Sequence, residues 1–399
     1  MTLQSIIKGG TILTVGSALS ALASFFRNII IARIISVEDF GIAMLFALTI
    51  SAIEMVSNLA IDKIIIQAED GESNRFQDVG HSFQIVRGVI TGSILIVSAE
   101  YVSLFFNVPD VLWAFYLLAL YPVIKGFTHL DISRFQRKMK FKPLIWTSTL
   151  PQLVALALSA PLAVWLGDYS AMIWLLMIQV SLFVILTHVV AERKFKLQWD
   201  YAIIKRMYIF GWPLLVNGVL MFAILQGDKA IVGAMFSMEM LGWYGAAFAL
   251  TLAPAMLLMK VSQTLLLPIL SKSKNDNRLF QKQANLTLQF CLMLGALLGF
   301  FLAIFSDDLL VTFFGDEYRA GVSIVTWLGL MQALRVIKSG PMIVALAKAD
   351  TKNPMIANLA RGAAFLIAVG AVSAGYGIHT LVMIGSIGEI IAFIVSMWL

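Results

Sequence analysis

Residues Ser24–Gly41 read SFFRNIIIARIISVEDFG. The stretch is apolar enough to cross a membrane as a helix, yet it carries Arg27, with Arg33 six residues on. An arginine at the centre of a lipid-crossing helix costs roughly 3 kcal/mol on insertion scales. Arg27 therefore requires a partner or a wet cavity that offsets the cost.

Outward from this stretch the pattern recurs along the whole chain. The 399 residues are 60% AVILMFWYC and 13% charged, a composition that excludes an ordinary soluble domain. Apolar runs of about 20 residues, the length of a membrane-crossing helix, follow one another. Twelve spans are predicted, at about 11–35, 41–66, 83–106, 111–130, 144–166, 169–190, 207–234, 243–267, 284–305, 321–347, 355–374 and 380–399. The runs are continuous rather than alternating, which argues against strands. The first is too long for a signal-peptide core and no small-residue cleavage site follows, so it reads as a span. The single cysteine, Cys291, excludes a disulfide within the chain and a cysteine metal site. No Gly-x-x-x-x-Gly-Lys-[Ser/Thr] pattern is present, so ATP hydrolysis by that route is excluded. No loop exceeds roughly 16 residues, which leaves no room for a soluble domain.

The net charge of +6 has a direction. Of the 29 basic residues, nineteen fall in one set of loops, Arg87 counted among them, and one, Arg319, in the alternate set. The positive-inside rule places the first set and both termini in the cytoplasm, so the charge implies no nucleic-acid partner. The longest outer loop is predicted at about Ser306 to Ala320.

A shift of 201 residues brings Ser36, Glu38 and Gly41 onto Ser237, Glu239 and Gly242, and Arg27-Asn28 onto Asp228-Lys229. With six spans in each half, both halves share one orientation. The fold expected is an all-α integral membrane protein of twelve transmembrane helices. Two parallel six-helix lobes, 1–190 and 207–399, are related by a pseudo-two-fold along the membrane normal, with a cytoplasmic linker at 191–206 and the substrate between the lobes.

Nine basic residues remain in spans: Arg27, Arg33, Lys63, Lys125, Lys229, Lys260, Arg335, Lys338 and Arg361. Arg33, Lys63 and Lys125 lie near helix ends and can snorkel, and Lys229 is beside Asp228. Arg27 could pair with Glu54 on the second span. Arg335 and Lys338 share a helix face, and Gly340-Pro341 is expected to break that helix. Arg335, Lys338, Lys260, Arg361 and Arg27 are the candidate anion contacts. Glu54, Asp228 and Glu389 are the candidate counter-ion or ion-coupling groups. Cations exceed acids in the spans, which suggests an anionic cargo such as a phosphate ester. His81, His129, His188 and His379 are far apart, show no metal-ligand spacing, and read as interfacial or loop residues. No metal or cofactor is expected.

Several stretches carry a resemblance. ARIISVEDFG (32–41), GDKAIVGAMFSMEMLGWYGAAFAL (227–250), VSQTLLLPILSK (261–272), FFGDEYRAG (313–321) and LAKADTKNP (346–354) together resemble, in order and spacing, the polysaccharide transporter, O-antigen flippase (Wzx-like) family. Its superfamily also holds the multidrug and toxin extrusion (MATE) transporters and the lipid II flippase. FFRNIIIAR (25–33) resembles the first helix of the lipid II flippase, whose arginine is implicated in pyrophosphate handling, and that match gives Arg27 the role. Asp350 stands where the family has glycine. The resemblance implies a MATE-like non-enzymatic flippase of the bacterial inner membrane. It would move undecaprenyl-pyrophosphate-linked oligosaccharide by alternating access, with membrane lipids, a glycan polymerase and a chain-length regulator as partners. Some members have fourteen spans, two more than the twelve predicted here. The rivals are a multidrug or cation antiporter of the same fold, whose cavity should favour acids, and a membrane-embedded glycan polymerase.

Overall fold

The computed structural model describes residues 3–350 and 352–398; the side chains of 3–13, Lys8 among them, fall outside the description. The described residues form α1 (Leu3–Ala32), α2 (Val37–Val56), α3 (Ile61–Gln67), α4 (Asn74–Phe105), α5 (Leu112–Leu118), α6 (Leu120–Gly126), α7 (Asp131–Arg137), α8 (Phe141–Leu166), α9 (Ser170–Val189) and α10 (Tyr201–Met235). They continue with α11 (Met238–Ser273), α12 (Asn277–Phe314), α13 (Val322–Ala347), α14 (Lys352–Ser373) and α15 (Ile378–Trp398), and no strand occurs among them. Eleven helices are long and apolar enough to cross a membrane, and the bent pair Pro109–Gly126 with Asp131–Arg137, at 53°, taken as one span makes twelve. Large apolar side chains point outward without cover: Val97 is 75% and Trp165 78% exposed. Lipid, not water, is the solvent that such a surface fits.

The chain forms two compact units, Met1–Phe222 and Ala223–Leu399, the division falling inside α10. In the first, Ile61, Ile64 and Ile65 pack with Phe76, Leu130 and Met207, joining α3 and α4 to the start of α10. In the second, α12 and α13 lie so close at Gly295 that a Cβ there would stand 2.7 Å from the Ala333 carbonyl oxygen. Leu298 and Leu302 fill the same seam against Val336.

The two units carry matching local structure. Ser36 accepts from the Asp39 amide at 3.1 Å to start α2, and Ser237 accepts from the Met240 amide at 3.1 Å to start α11. Both are side-chain N-caps, at the 201-residue shift. Farther on, the order of buried and exposed positions over 111–122 recurs unchanged over 321–332. On that 210-residue register Lys125 corresponds to Arg335.

Two expectations are corrected. α13 runs unbroken through Gly340-Pro341. Close packing replaces the lost backbone bond as the source of order: Gly340 lies against Leu288 and Cys291 of α12, and Ile343 is fully buried. Proline is tolerated in membrane helices where neighbours hold them in this way. The supposed outer loop 306–320 is mostly helix. At about 1.5 Å per residue, the 38 residues of α12 reach far past a hydrocarbon core of about 30 Å, and only the 3-10 turn Asp316–Gly321 follows.

Candidate functional site

In the second unit one carboxylate gathers three cations. Glu389, on α15, is fully buried. Its Oε1 receives Arg335 Nε at 2.7 Å and Arg361 Nε at 2.9 Å, and its Oε2 receives Lys338 Nζ at 2.7 Å. Spacing by three residues puts Arg335 and Lys338 on one face of α13. Arg361 comes from α14, brought near because Gly388 lets α15 approach: a Cβ there would stand 2.6 Å from the Ala364 Cβ. Arg335 also donates to Gln332 Oε1 at 3.2 Å, and Arg361 to the Ile224 carbonyl at 3.2 Å. The cluster keeps two positive charges in excess of its carboxylate, with the cationic side chains only 11–13% exposed. Such an arrangement is expensive unless an anion completes it.

Asp228, on α10, sits across a small cavity of about 50 Å³ lined also by Tyr244, Arg335 and Arg361. Tyr244 Oη donates to Asp228 Oδ2 at 2.6 Å. Lys229, expected beside Asp228, turns its ammonium to Gln226 Oε1 at 3.0 Å and over the Phe248 ring at 4.0 Å. Lys260 is exposed and lines neither this cavity nor the Glu389 cluster.

In the first unit Arg27 does not meet Glu54. It is buried, 7% exposed, and donates to Gln179 Oε1 at 2.7 Å and more weakly to Asn28 Oδ1 at 3.4 Å. Its Nε is buried with no partner. Both partners are neutral amides, so its charge stays uncompensated. Glu54 instead accepts from Tyr121 Oη at 2.7 Å and from Lys125 Nζ. Lys125 is therefore not a headgroup-seeking lysine: it turns inward because a mid-span carboxylate offers a stronger partner than interfacial water. This pair lines a cavity of about 320 Å³. Arg87, which the sequence places among the loop cations, lies on α4 in that lining and donates to the Ser57 carbonyl at 3.3 Å.

Three of the four histidines lie together, and His379 is exposed on α15. His81 and His129 are buried, with ring centroids 4.9 Å apart, and His129 and His188 are 5.3 Å apart, all against Phe195. His81 Nε2 accepts from the Leu130 amide at 3.1 Å, so its proton lies on Nδ1, 3.2 Å from the Lys196 carbonyl. His129 Nδ1 accepts from the Asp131 amide at 3.1 Å and its Nε2 faces the Arg193 carbonyl at 3.1 Å. Both nitrogens of each ring are used by backbone, so neither ring is free to ligate. Asp131, fully buried, accepts from the amides of Glu192 and Arg193 at 2.8 and 2.9 Å and from Arg134 Nε at 2.8 Å. Residues 192–198 are thus strapped to the first unit.

The sequence matches the family described as polysaccharide biosynthesis protein over residues 30–323. The chain belongs to that family. Among curated proteins no match was found. Among solved structures, an inward-facing multidrug resistance MATE transporter of the MOP superfamily is similar, with TM-score 0.73, 10% identity, and 95% of this chain and 93% of that chain covered. The lipid II flippase MurJ in an inward closed conformation gives TM-score 0.73, 16% identity, and 97% and 87% covered. A MOP superfamily transporter from Pyrococcus furiosus, described as having a binding pocket of reverse polarity, gives TM-score 0.56, 10% identity, and 99% and 94% covered. At these identities the likeness shows the fold: this is a multi-pass membrane protein of polysaccharide biosynthesis with the architecture of MOP transporters.

Proposed function

We propose that this protein is a flippase that moves undecaprenyl-pyrophosphate-linked oligosaccharide across the bacterial inner membrane, with both termini cytoplasmic and access alternating between the two faces. The observation that carries the reading is the Glu389 cluster, in which three buried cations share one carboxylate. The cationic excess, still one charge when Asp228 across the cavity is counted, suits a pyrophosphate, which arginine binds by a two-pronged donor set and lysine as a point charge. Arg27, held only by neutral amides, adds a further cation in the first unit. Asp228 and Glu54, like Glu389, serve as counter-ions, and ion coupling would run through them.

The fold would serve a cation antiporter equally well, so the charge balance decides between the two. An antiporter for cations needs carboxylates in excess, and the Glu389 cluster has the opposite sign. The test is export of surface glycan by a deletion strain complemented with Arg335→Ala, Lys338→Ala or Arg27→Ala. Each variant should lower export about tenfold or more at normal protein level, the loss of one charge-assisted contact. Unchanged export in all three overturns the reading. Surface glycan reduced to single repeat units in the deletion strain would indicate a polymerase instead.

A further inference from the structure

The two units differ in what they offer. The Glu389 cluster has charge without room: its adjoining cavity is about 50 Å³. The first-unit cavity has room without net charge. Its cavity of about 320 Å³ is lined by Glu54, Asp62, Arg87 and Lys125, two acids and two bases, with Gln84 and Thr128 among them. The volume falls at the small end of the ~300–1,000 Å³ typical of ligand sites. Although they form an ion pair within the spans, Glu54 and Lys125 keep 38% and 33% of their side-chain surface free. Polar groups so placed need water or a polar ligand, since apolar contents would leave them unsatisfied.

The donor and acceptor pattern selects the ligand. A phosphate accepts only, and the carboxylates of Glu54 and Asp62 would repel it. A bare cation is coordinated only by acceptors, and Arg87 and Lys125 would repel it. A sugar presents hydroxyls that donate and accept in alternation around one ring. Carboxylates take the hydroxyl protons, ammonium and guanidinium groups donate to the hydroxyl oxygens, and Gln84 and Thr128 do either. Tyr121 and Phe183, also in the lining, add flat apolar surface against which the C–H face of a sugar ring packs. The size suits one ring, not a chain.

From this balance we infer that the first-unit cavity is a saccharide site that takes one uncharged sugar ring of the cargo. The inference rests on the flippase reading and adds the part of the protein that senses the glycan.

The experiment measures binding to the full-length protein in lipid nanodiscs by native mass spectrometry with two probes: bare undecaprenyl pyrophosphate, and the lipid-linked oligosaccharide extracted from the host strain. The wild type should hold the glycosylated lipid about tenfold more tightly, the worth of one or two well-placed hydrogen bonds. Thr91→Trp and Thr128→Trp fill the cavity from different elements and should erase that gap while binding of the bare lipid is unchanged. The paired change Glu54→Gln with Lys125→Met keeps volume and net charge and should narrow the gap at least about threefold; it keeps the inference open to refutation if a tryptophan variant does not fold. No gap in the wild type, or a full gap in every folded variant, overturns the saccharide site and leaves the flippase reading standing. A wild type that binds neither lipid overturns both.

Discussion

Lys338 Nζ lies 2.7 Å from Glu389 Oε2, and the other oxygen of the same carboxylate holds Arg335 and Arg361. Glu389 is thus the carboxylate shared by three cations from two other helices. Glu389→Gln leaves those cations to repel one another in a buried place. Removing one member of a buried ion pair costs about 3–5 kcal/mol. Thermal unfolding in detergent should drop by several degrees, and adding Arg361→Met to Glu389→Gln should recover part of the drop. An unshifted midpoint in the single variant would mean that the cluster is hydrated rather than held by Glu389.

Arg27 is expected to behave in the opposite way. Its partners Gln179 and Asn28 are neutral, so its burial is a cost that no carboxylate offsets. Its removal leaves no carboxylate unpaired, and replacing even a whole buried ion pair by apolar groups of similar volume is often neutral or stabilising by about 1–4 kcal/mol. Arg27→Met should therefore keep or raise the unfolding midpoint while glycan export falls. A lowered midpoint with export intact would make Arg27 structural.

Asp131 fastens the strap at 192–198 through two backbone amides. Asp131→Ala frees those amides and leaves Arg134 with only Glu192 at 2.7 Å. Limited trypsin digestion should then cut at Arg193, Lys194 or Lys196 at least about tenfold faster, because cleavage follows the population of the opened segment. An equal cutting rate in wild type and variant would show that the histidine contacts suffice to hold it.

At the end that carries the basic loops, Asp70 is held below the ordinary carboxylate range by the Arg206 guanidinium, 2.7 Å away. The Ile203 amide does most to lower Asp200, with Arg75 at 2.5 Å adding to it. A depressed carboxylate contributes stability above its unfolded value, about 3.9 for aspartate, and loses it as pH falls through the lower folded value. The part of the unfolding midpoint that these two carboxylates contribute should be level from pH 8 to about 5 and be lost below about 4. Asp70→Asn should shrink that fall slightly, since the pair is about half exposed and surface pairs contribute little.

Much of this was legible in the chain. Run length and hydropathy gave the spans, because a bilayer demands about 20 apolar residues per crossing. The i, i+3 spacing of Arg335 and Lys338 put them on one face before any coordinates. Glu54 signalled that a cation must lie near it, but Arg27 and Lys125 were equally available on sequence grounds, and only helix packing chose Lys125. Arg87 stands only four residues into the predicted span 83–106 and so reads as a loop cation, but α4 begins at Asn74 and carries it into the cavity lining. His81 and His129 carried no spacing signal, since their partners are backbone groups up to 115 residues away, and Asp131 showed only its i, i+3 spacing to Arg134, not the amides 61 and 62 residues on.

Residue order alone set the solvent, the number of crossings, the family and the sign of the charge the membrane must bury. These follow from local properties, summed over windows no longer than a helix. Helix packing assigned the partners: Glu389 to three cations, Lys125 to Glu54, the strap to Asp131, and Glu54, Asp62, Arg87 and Lys125 to one charge-balanced cavity. An ion pair or a cavity depends on distances of a few ångströms between helices, and those distances are set by where side chains as small as Gly295 and Gly388 let two backbones meet.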